Sequence, residues 1–138
     1  MNIYFSCSIT GGRQDQLVYH AIVKTLQNGG HQIPTAHLSR ADVMEKETVV
    51  SPADVYERDV RWVKECDALI AEVSTPSHGV GYEIALALFL GKPVFCCYQQ
   101  NRRVSKMILG NNSPTLTTYA YHSLDDLLPK IEDFLLNV

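Results

Sequence analysis

No stretch of this chain is apolar for long enough to span a bilayer. The longest uninterrupted apolar run, Ile84 to Leu90, has seven residues, against the roughly 20 that a membrane helix requires. Positive charge is also scarce. Lys and Arg number 12 against 15 Asp and Glu, the formal net charge is -3, and Arg102-Arg103 is the only adjacent basic pair. Binding along a phosphate backbone needs clustered Lys and Arg, so no nucleic-acid partner is expected. The cysteines are few and unpatterned. Cys7, Cys66, Cys96 and Cys97 form no CxxC pair and have no His at zinc spacing, so neither a metal nor a disulfide framework is expected. They read as reduced, buried thiols of a cytoplasmic protein, with Cys96 and Cys97 on opposite faces of one strand. The segment Met1-Asn2-Ile3-Tyr4-Phe5 lacks the basic start and long apolar stretch of a cleaved leader. Repeats, low-complexity segments and Pro- or Gly-rich linkers are missing too. With 138 residues, a single domain over residues 1–138 is expected.

What remains is an alternation of short β-rich runs with longer helical stretches. Such alternation predicts an α/β fold with helices on both faces of a parallel sheet. Five strands are expected, at about Asn2 to Ser6, His31 to Pro34, Ala68 to Val73, Pro93 to Tyr98 and Thr117 to Tyr121. The first helix follows Gly11-Gly12 and stops at Gly29-Gly30. The second has Ser51 at its N-cap, Pro52 at the first helical position and Asp54 at the third; the last repeats this with Ser123 and Asp126. His37 to Val50 has weak periodicity and is expected to be a rim loop or short helix. In open parallel sheets ligands bind at the carboxyl ends of strands, here the turns after strands one and three and the loop after strand four.

Three features exceed what a fold needs. Glu83 is the only charged residue from Gly79 to Gly91, a helix apolar nearly all round and therefore expected to be buried. An unpaired carboxylate there is costly to desolvate: it has partners, faces a cavity, or titrates upward. It is either a carboxylate stabilised near a helix N-terminus or a site residue in the crevice above the sheet. Ser77-His78-Gly79-Val80-Gly81 ahead of it offers backbone donors with little bulk, which favours the crevice. Asp59 lies on an inward stripe with Val55, Trp62, Val63 and Cys66, while Glu57, Arg58, Arg61, Lys64 and Glu65 take the outer face. It either pairs with a buried partner or joins Glu83 as a second carboxylate, the combination that glycosidic chemistry uses. Ser8-Ile9-Thr10-Gly11-Gly12-Arg13 lets backbone N–H groups approach a phosphate at a helix start, although it matches neither a P-loop nor GxGxxG. His20, His31 and His122 read as core or surface. His37 and His78 lie near the expected site without ligand spacing.

These residues carry a resemblance. Tyr4-Phe5-Ser6-Cys7-Ser8-Ile9-Thr10-Gly11-Gly12-Arg13, Asp59-Val60-Arg61-Trp62, Ala71 to Glu83 with its Pro-Ser-x-Gly-Val-Gly-Tyr-Glu stretch, and Ser105-Lys106-Met107-Ile108 resemble the 2'-deoxynucleoside 5'-phosphate N-hydrolases of the nucleoside 2-deoxyribosyltransferase superfamily. The resemblance implies a flavodoxin-like three-layer sandwich, a homodimer and no cofactor. It implies hydrolysis of the N-glycosidic bond of 2'-deoxynucleoside 5'-monophosphates, with Glu83 as nucleophile and Tyr4 and Asp59 supporting it. Substrate and phosphate contacts are implied for Ser8, Ile9, Thr10, Gly11, Gly12, Arg13, His37, Ser77, Gly79 and Met107, with Ser105 reaching the phosphate from the other subunit. The chain departs from the family pattern at Cys7, where Gly is common, and at Thr10, where an Arg is expected to help bind phosphate. A transferase that passes the sugar to a second base and a non-catalytic nucleotide-binding module are the alternative functions.

Overall fold

The computed structural model describes residues 1–138, apart from the side chains at positions 45 and 46. Four parallel strands, β1 (Ile3–Ser6), β2 (Ala68–Glu72), β3 (Val94–Gln99) and β4 (Leu116–Tyr121), form one sheet in the order β1-β2-β3-β4. The helices are α1 (Gln16–Asn28), α2 (Val43–Glu47), α3 (Pro52–Glu65), α4 (His78–Phe89), α5 (Lys106–Leu109) and α6 (Leu124–Leu135), with a 3-10 turn at Ala36–Ser39.

The expected fifth strand, His31 to Pro34, is reduced to one parallel bridge between Gln32 and Asn2. The chemistry of the next residues ends it. Pro34 has no N–H to offer a ladder, and the Phe5 N–H donates instead to the Thr35 hydroxyl at 2.9 Å. Counting the bridge as a vestigial strand outside β1 gives the flavodoxin-like order 2-1-3-4-5.

Alternation along the strands sends side chains to two cores. Ile3, Phe5, Ile70, Phe95, Cys97 and Tyr121 pack with α1 and α6, whereas Tyr4, Leu69, Ala71, Val94 and Cys96 pack with α3 and α4. Cys96 and Cys97 therefore face opposite layers, as expected of neighbours on a strand. The caps also follow the sequence: Ser51 Oγ accepts from Asp54 N at 3.1 Å, and Asp126 accepts from the N–H groups of His122 and Ser123.

One helix differs from expectation. Apolar nearly all round, α4 was expected to be buried, yet only its Val80, Ile84 and Ala87 stripe is fully covered, while Tyr82 is 54% and Phe89 88% exposed. Two cores served by one small sheet leave no third layer to cover that outer face.

Candidate active site

Ser77 ends the β2–α4 loop in extended conformation and caps α4, accepting from Val80 N at 3.4 Å. Helical side chains lean back toward the N-terminus, which aims Glu83 at the carboxyl end of β1. There the Ser6 hydroxyl donates a hydrogen bond to Glu83 Oε2. Ser6 was not among the expected site residues. Its position two residues after Tyr4, on the same face of the strand, is the signal that identifies it. The Tyr4 hydroxyl is also buried beside Glu83, close enough to act on its carboxylate.

Burial pushes the Glu83 carboxyl up to about 7, the Ser6 and Tyr4 hydroxyls pull it partly back, and the nearby Asp59 raises it further. Removal from water dominates, because a charge in a low-dielectric site loses more solvation than one or two hydroxyls restore. Burial likewise raises the Tyr4 hydroxyl, with the charges of Glu83 and Asp59 adding to the effect. Tyr4 is therefore a neutral donor throughout the physiological range.

Glu83 and Asp59 line the same cavity of about 500 Å³, with Cys7, Ile9, Thr10, Leu38, Glu47, Val55, Tyr56, Ser77, Gly79 and Tyr82 among its walls. Three carboxylates, Glu47, Asp59 and Glu83, thus face one largely apolar chamber, and the sequence points to the last two. Asp59 is held by a neighbour assigned to the wrong side. Arg58, expected on the outer face of α3, is half-buried: its Nε donates to Asp59 Oδ1 at 2.8 Å and its two Nη groups reach Glu47 at 3.1 Å each. Its guanidinium also lies over Trp62, 5.1 Å from the ring centroid. The rim helix α2 supplies Glu47, and a neighbour that folds over α3 from elsewhere in the chain is invisible to helical periodicity. Burial raises the Glu47 carboxyl, but the hydrogen bonds and charge of Arg58 outweigh it and hold the group below its ordinary range. His37 does not line the cavity; it sits behind Glu47, with Nε2 3.1 Å from Glu47 Oε1.

The first loop divides its residues. Ile9 and Thr10 line the cavity. Ser8 is buried and its hydroxyl has no hydrogen-bond partner. A Cβ on Gly11 would lie 2.2 Å from the Pro76 carbonyl oxygen, so only glycine lets this loop close on the next. Gly12 has φ 133, in the region that favours glycine. Arg13 turns away from the cavity, donating to the carbonyls of Ser8 at 3.1 Å and Arg40 at 2.8 Å. Cys7 lines the cavity as a thiol that burial pushes up to about 12, inert as a nucleophile. Ser105 and Met107 do not join Glu83 within the chain. They line a second groove on the opposite side of α4, which also carries Ser77 and His78. Among the described residues no cluster of three His, Cys, Asp or Glu side chains is placed to hold a metal.

The sequence pattern of the nucleoside 2-deoxyribosyltransferase family matches residues 3–127. The chain belongs to that family. A Methanococcoides burtonii protein provisionally named 2'-deoxynucleoside 5'-phosphate N-hydrolase 1 is 40% identical over 111 residues, covering 80% of this chain and 91% of that one. The 5-hydroxymethyl-dUMP N-hydrolase of Danio rerio is 36% identical over 137 residues, covering 97% and 95%. Among solved structures, the Clostridium botulinum CMP N-glycosidase superposes with a TM-score of 0.73 at 18% identity, covering 97% of this chain and 99% of that one. At that identity the likeness establishes the shared α/β fold.

Proposed function

We propose that this chain hydrolyses the N-glycosidic bond of 2'-deoxynucleoside 5'-monophosphates, releasing the base and 2-deoxyribose 5-phosphate, with Glu83 as nucleophile. The observation that carries the reading is the setting of Glu83, a carboxylate facing an apolar cavity, held by the Ser6 hydroxyl and sharing that cavity with Asp59. The names of the N-hydrolase relatives support the same bond as the point of attack.

The chemistry follows from the two carboxylates. A 2-deoxy sugar lacks the electron-withdrawing hydroxyl that would oppose positive charge at C1', so the oxocarbenium-like transition state needs less help. A Glu83 oxygen bonds to C1' as the C1'–N bond breaks and its electron pair leaves with the base. Arg58 engages Asp59 Oδ1, which leaves Oδ2 to meet the departing base. Water then attacks C1' and displaces Glu83 as carboxylate, and the proton that the water loses balances the one taken up by the departing base. Tyr4 contributes a neutral hydroxyl dipole beside the nucleophile.

The phosphate end is assigned to the β1–α1 loop from Ser8 to Arg13 and to Ser77 and Gly79 at the start of α4. A buried hydroxyl without a partner at Ser8 and the N-terminus of a three-turn helix are suited to an anion. No Lys, Arg or His lines the cavity among the described residues, so this site works through hydroxyl and backbone donors.

The functional unit is a homodimer. Phe89 on α4 is 88% exposed, and Met107 and Leu109, which line the groove on the far side of α4, are 85% and 45% exposed. Large apolar side chains left open to solvent in this way suit an interaction surface. Pairing through it offers Ser105, which lies on the far side of α4 from its own Glu83, to the partner's phosphate. No described helix is long and apolar enough to cross a membrane, and four buried free thiols suit the cytoplasm.

One incubation tests the reading. The protein is mixed with dGMP, dAMP, dCMP or dTMP, with and without free adenine, and products are separated. Base release with stoichiometric 2-deoxyribose 5-phosphate is expected. Exchange of bases without water-dependent release would make the chain a transferase, and no reaction with any of the four would leave a binding module.

A further inference from the structure

Asp15 occupies the N-cap position of α1, where an Asp side chain ordinarily accepts from the N–H groups of its own first turn. Here it makes no such bond. The carboxylate is 3% exposed and turns to other loops. Oδ2 accepts from Thr75 Oγ1 at 2.8 Å, and Oδ1 accepts from Gln99 Nε2 at 2.8 Å and lies 3.5 Å from Arg102 Nη2. Asp15 closes the β1–α1 loop, Thr75 belongs to the β2–α4 loop, Gln99 ends β3, and Arg102 lies in the β3–α5 loop that follows. One buried side chain thus joins all three loops at the carboxyl end of the sheet.

Other contacts tighten the same junction. Gly11 leaves no room for a side chain against the Pro76 carbonyl, and Gln99 N donates to Ser74 Oγ at 2.7 Å. Thr75 lies two residues before Ser77, and Ser8 and Thr10 lie on the loop that Asp15 terminates. Electrostatics alone would not select a carboxylate here, because a negative charge close to an anion site repels the ligand. Its contribution is therefore geometric.

We propose that Asp15 is the positioning residue of the phosphate-binding loops, holding them in the arrangement in which Ser8, Ser77 and the start of α4 converge on one phosphate. The inference rests on the monophosphate reading above. A site built from neutral donors depends on convergence more than one built around a cation, since hydrogen bonds weaken steeply with misalignment whereas a point charge acts at longer range. Loss of Asp15 should therefore weaken the hold on phosphate while sparing the sugar and base.

Binding is measured calorimetrically in Glu83→Gln, which prevents turnover, with dGMP and deoxyguanosine as paired probes. Adding Asp15→Asn is expected to weaken dGMP about 10- to 100-fold and leave deoxyguanosine within about twofold. Thr75→Val removes the same hydrogen bond from its other end without touching the carboxylate. It should reproduce the selective loss, and the double variant should lose little more than either single one. Equal weakening of both probes, or no weakening of dGMP in a folded Asp15→Asn or Thr75→Val protein, would overturn the assignment. Failure of the parent to prefer dGMP over deoxyguanosine would overturn it from a different side, because the phosphate reading itself would then be wrong.

Discussion

Ser6, on the first strand, donates its hydroxyl to the carboxylate of Glu83, 77 residues away on α4. The bond connects the sheet to the one charged side chain of an apolar helix, and it opposes the burial that pushes Glu83 up to about 7. Hydrogen bonds to charged groups contribute about 1.5–3 kcal/mol, which corresponds to roughly 1–2 pH units.

Ser6→Ala should therefore raise the Glu83 titration further and move the acid limb of the kcat profile to higher pH. Turnover is expected to fall about 10- to 100-fold at pH 6 and at most about twofold at pH 9, where the carboxylate is largely ionised in both proteins. A parallel loss at both pH values would make Ser6 a packing residue, with no part in setting the charge of Glu83.

Glu83→Gln should keep the fold and nucleotide binding while losing on the order of 10⁴-fold or more in turnover, the cost of removing an essential nucleophile in other enzymes. Retention of a tenth of the rate sinks the assignment. Asp59→Asn should cost less if Asp59 only orients the base, and as much if it handles the proton. Single-turnover rates on one dNMP separate the two outcomes.

Much of this cavity is legible in the sequence. The 3.6-residue period of α3 and the single charge in α4 point Asp59 and Glu83 to one side of the sheet, and both line one cavity. The outer-face expectation for Arg58 fails for a physical reason. Periodicity describes one helix against one core, whereas Arg58 is drawn inward by Glu47, which arrives on α2 from the rim. The lost fifth strand has a similarly local cause in Pro34 and the Thr35 hydroxyl. Asp15 shows a subtler limit: its position at a helix start suggests a cap, and only the fold reveals that its partners are Thr75 and Gln99.

Arg58→Gln should uncouple α2 from α3 and release Asp59 Oδ1. The Glu47 carboxyl, now lacking its guanidinium, would titrate higher, and the rim of the cavity would loosen. The kcat/KM for a monophosphate is expected to fall about tenfold to a hundredfold. Arg58→Lys should rescue little, because an ammonium cannot bridge two carboxylates with a planar fork. Full activity in Arg58→Lys would mean that charge alone suffices there.

Glu72 is 0% exposed, on the sheet face opposite Glu83. It accepts from the hydroxyls of Ser74 and Tyr121 and from the Ser74 N–H, yet burial still pushes it from 4.5 to about 7. A carboxylate whose folded value lies above its unfolded one binds more protons in the native state between those two values. Stability therefore falls as pH rises from about 4.5 to about 7, and it is lost in full above that. For a difference of roughly 2.5 units the loss is about 3 kcal/mol at most. Glu83 adds a loss of the same sign over the same window. Glu72→Gln, neutral at every pH, should be close to wild type in unfolding free energy at pH 4.5 and clearly more stable at pH 8, with the remaining pH dependence removed by adding Glu83→Gln. Denaturant titrations at the two pH values check this. A Glu72→Gln protein that loses as much stability between pH 4.5 and 8 as the wild type would show that Glu72 ionises there at no cost, solvated by a route other than Ser74 and Tyr121.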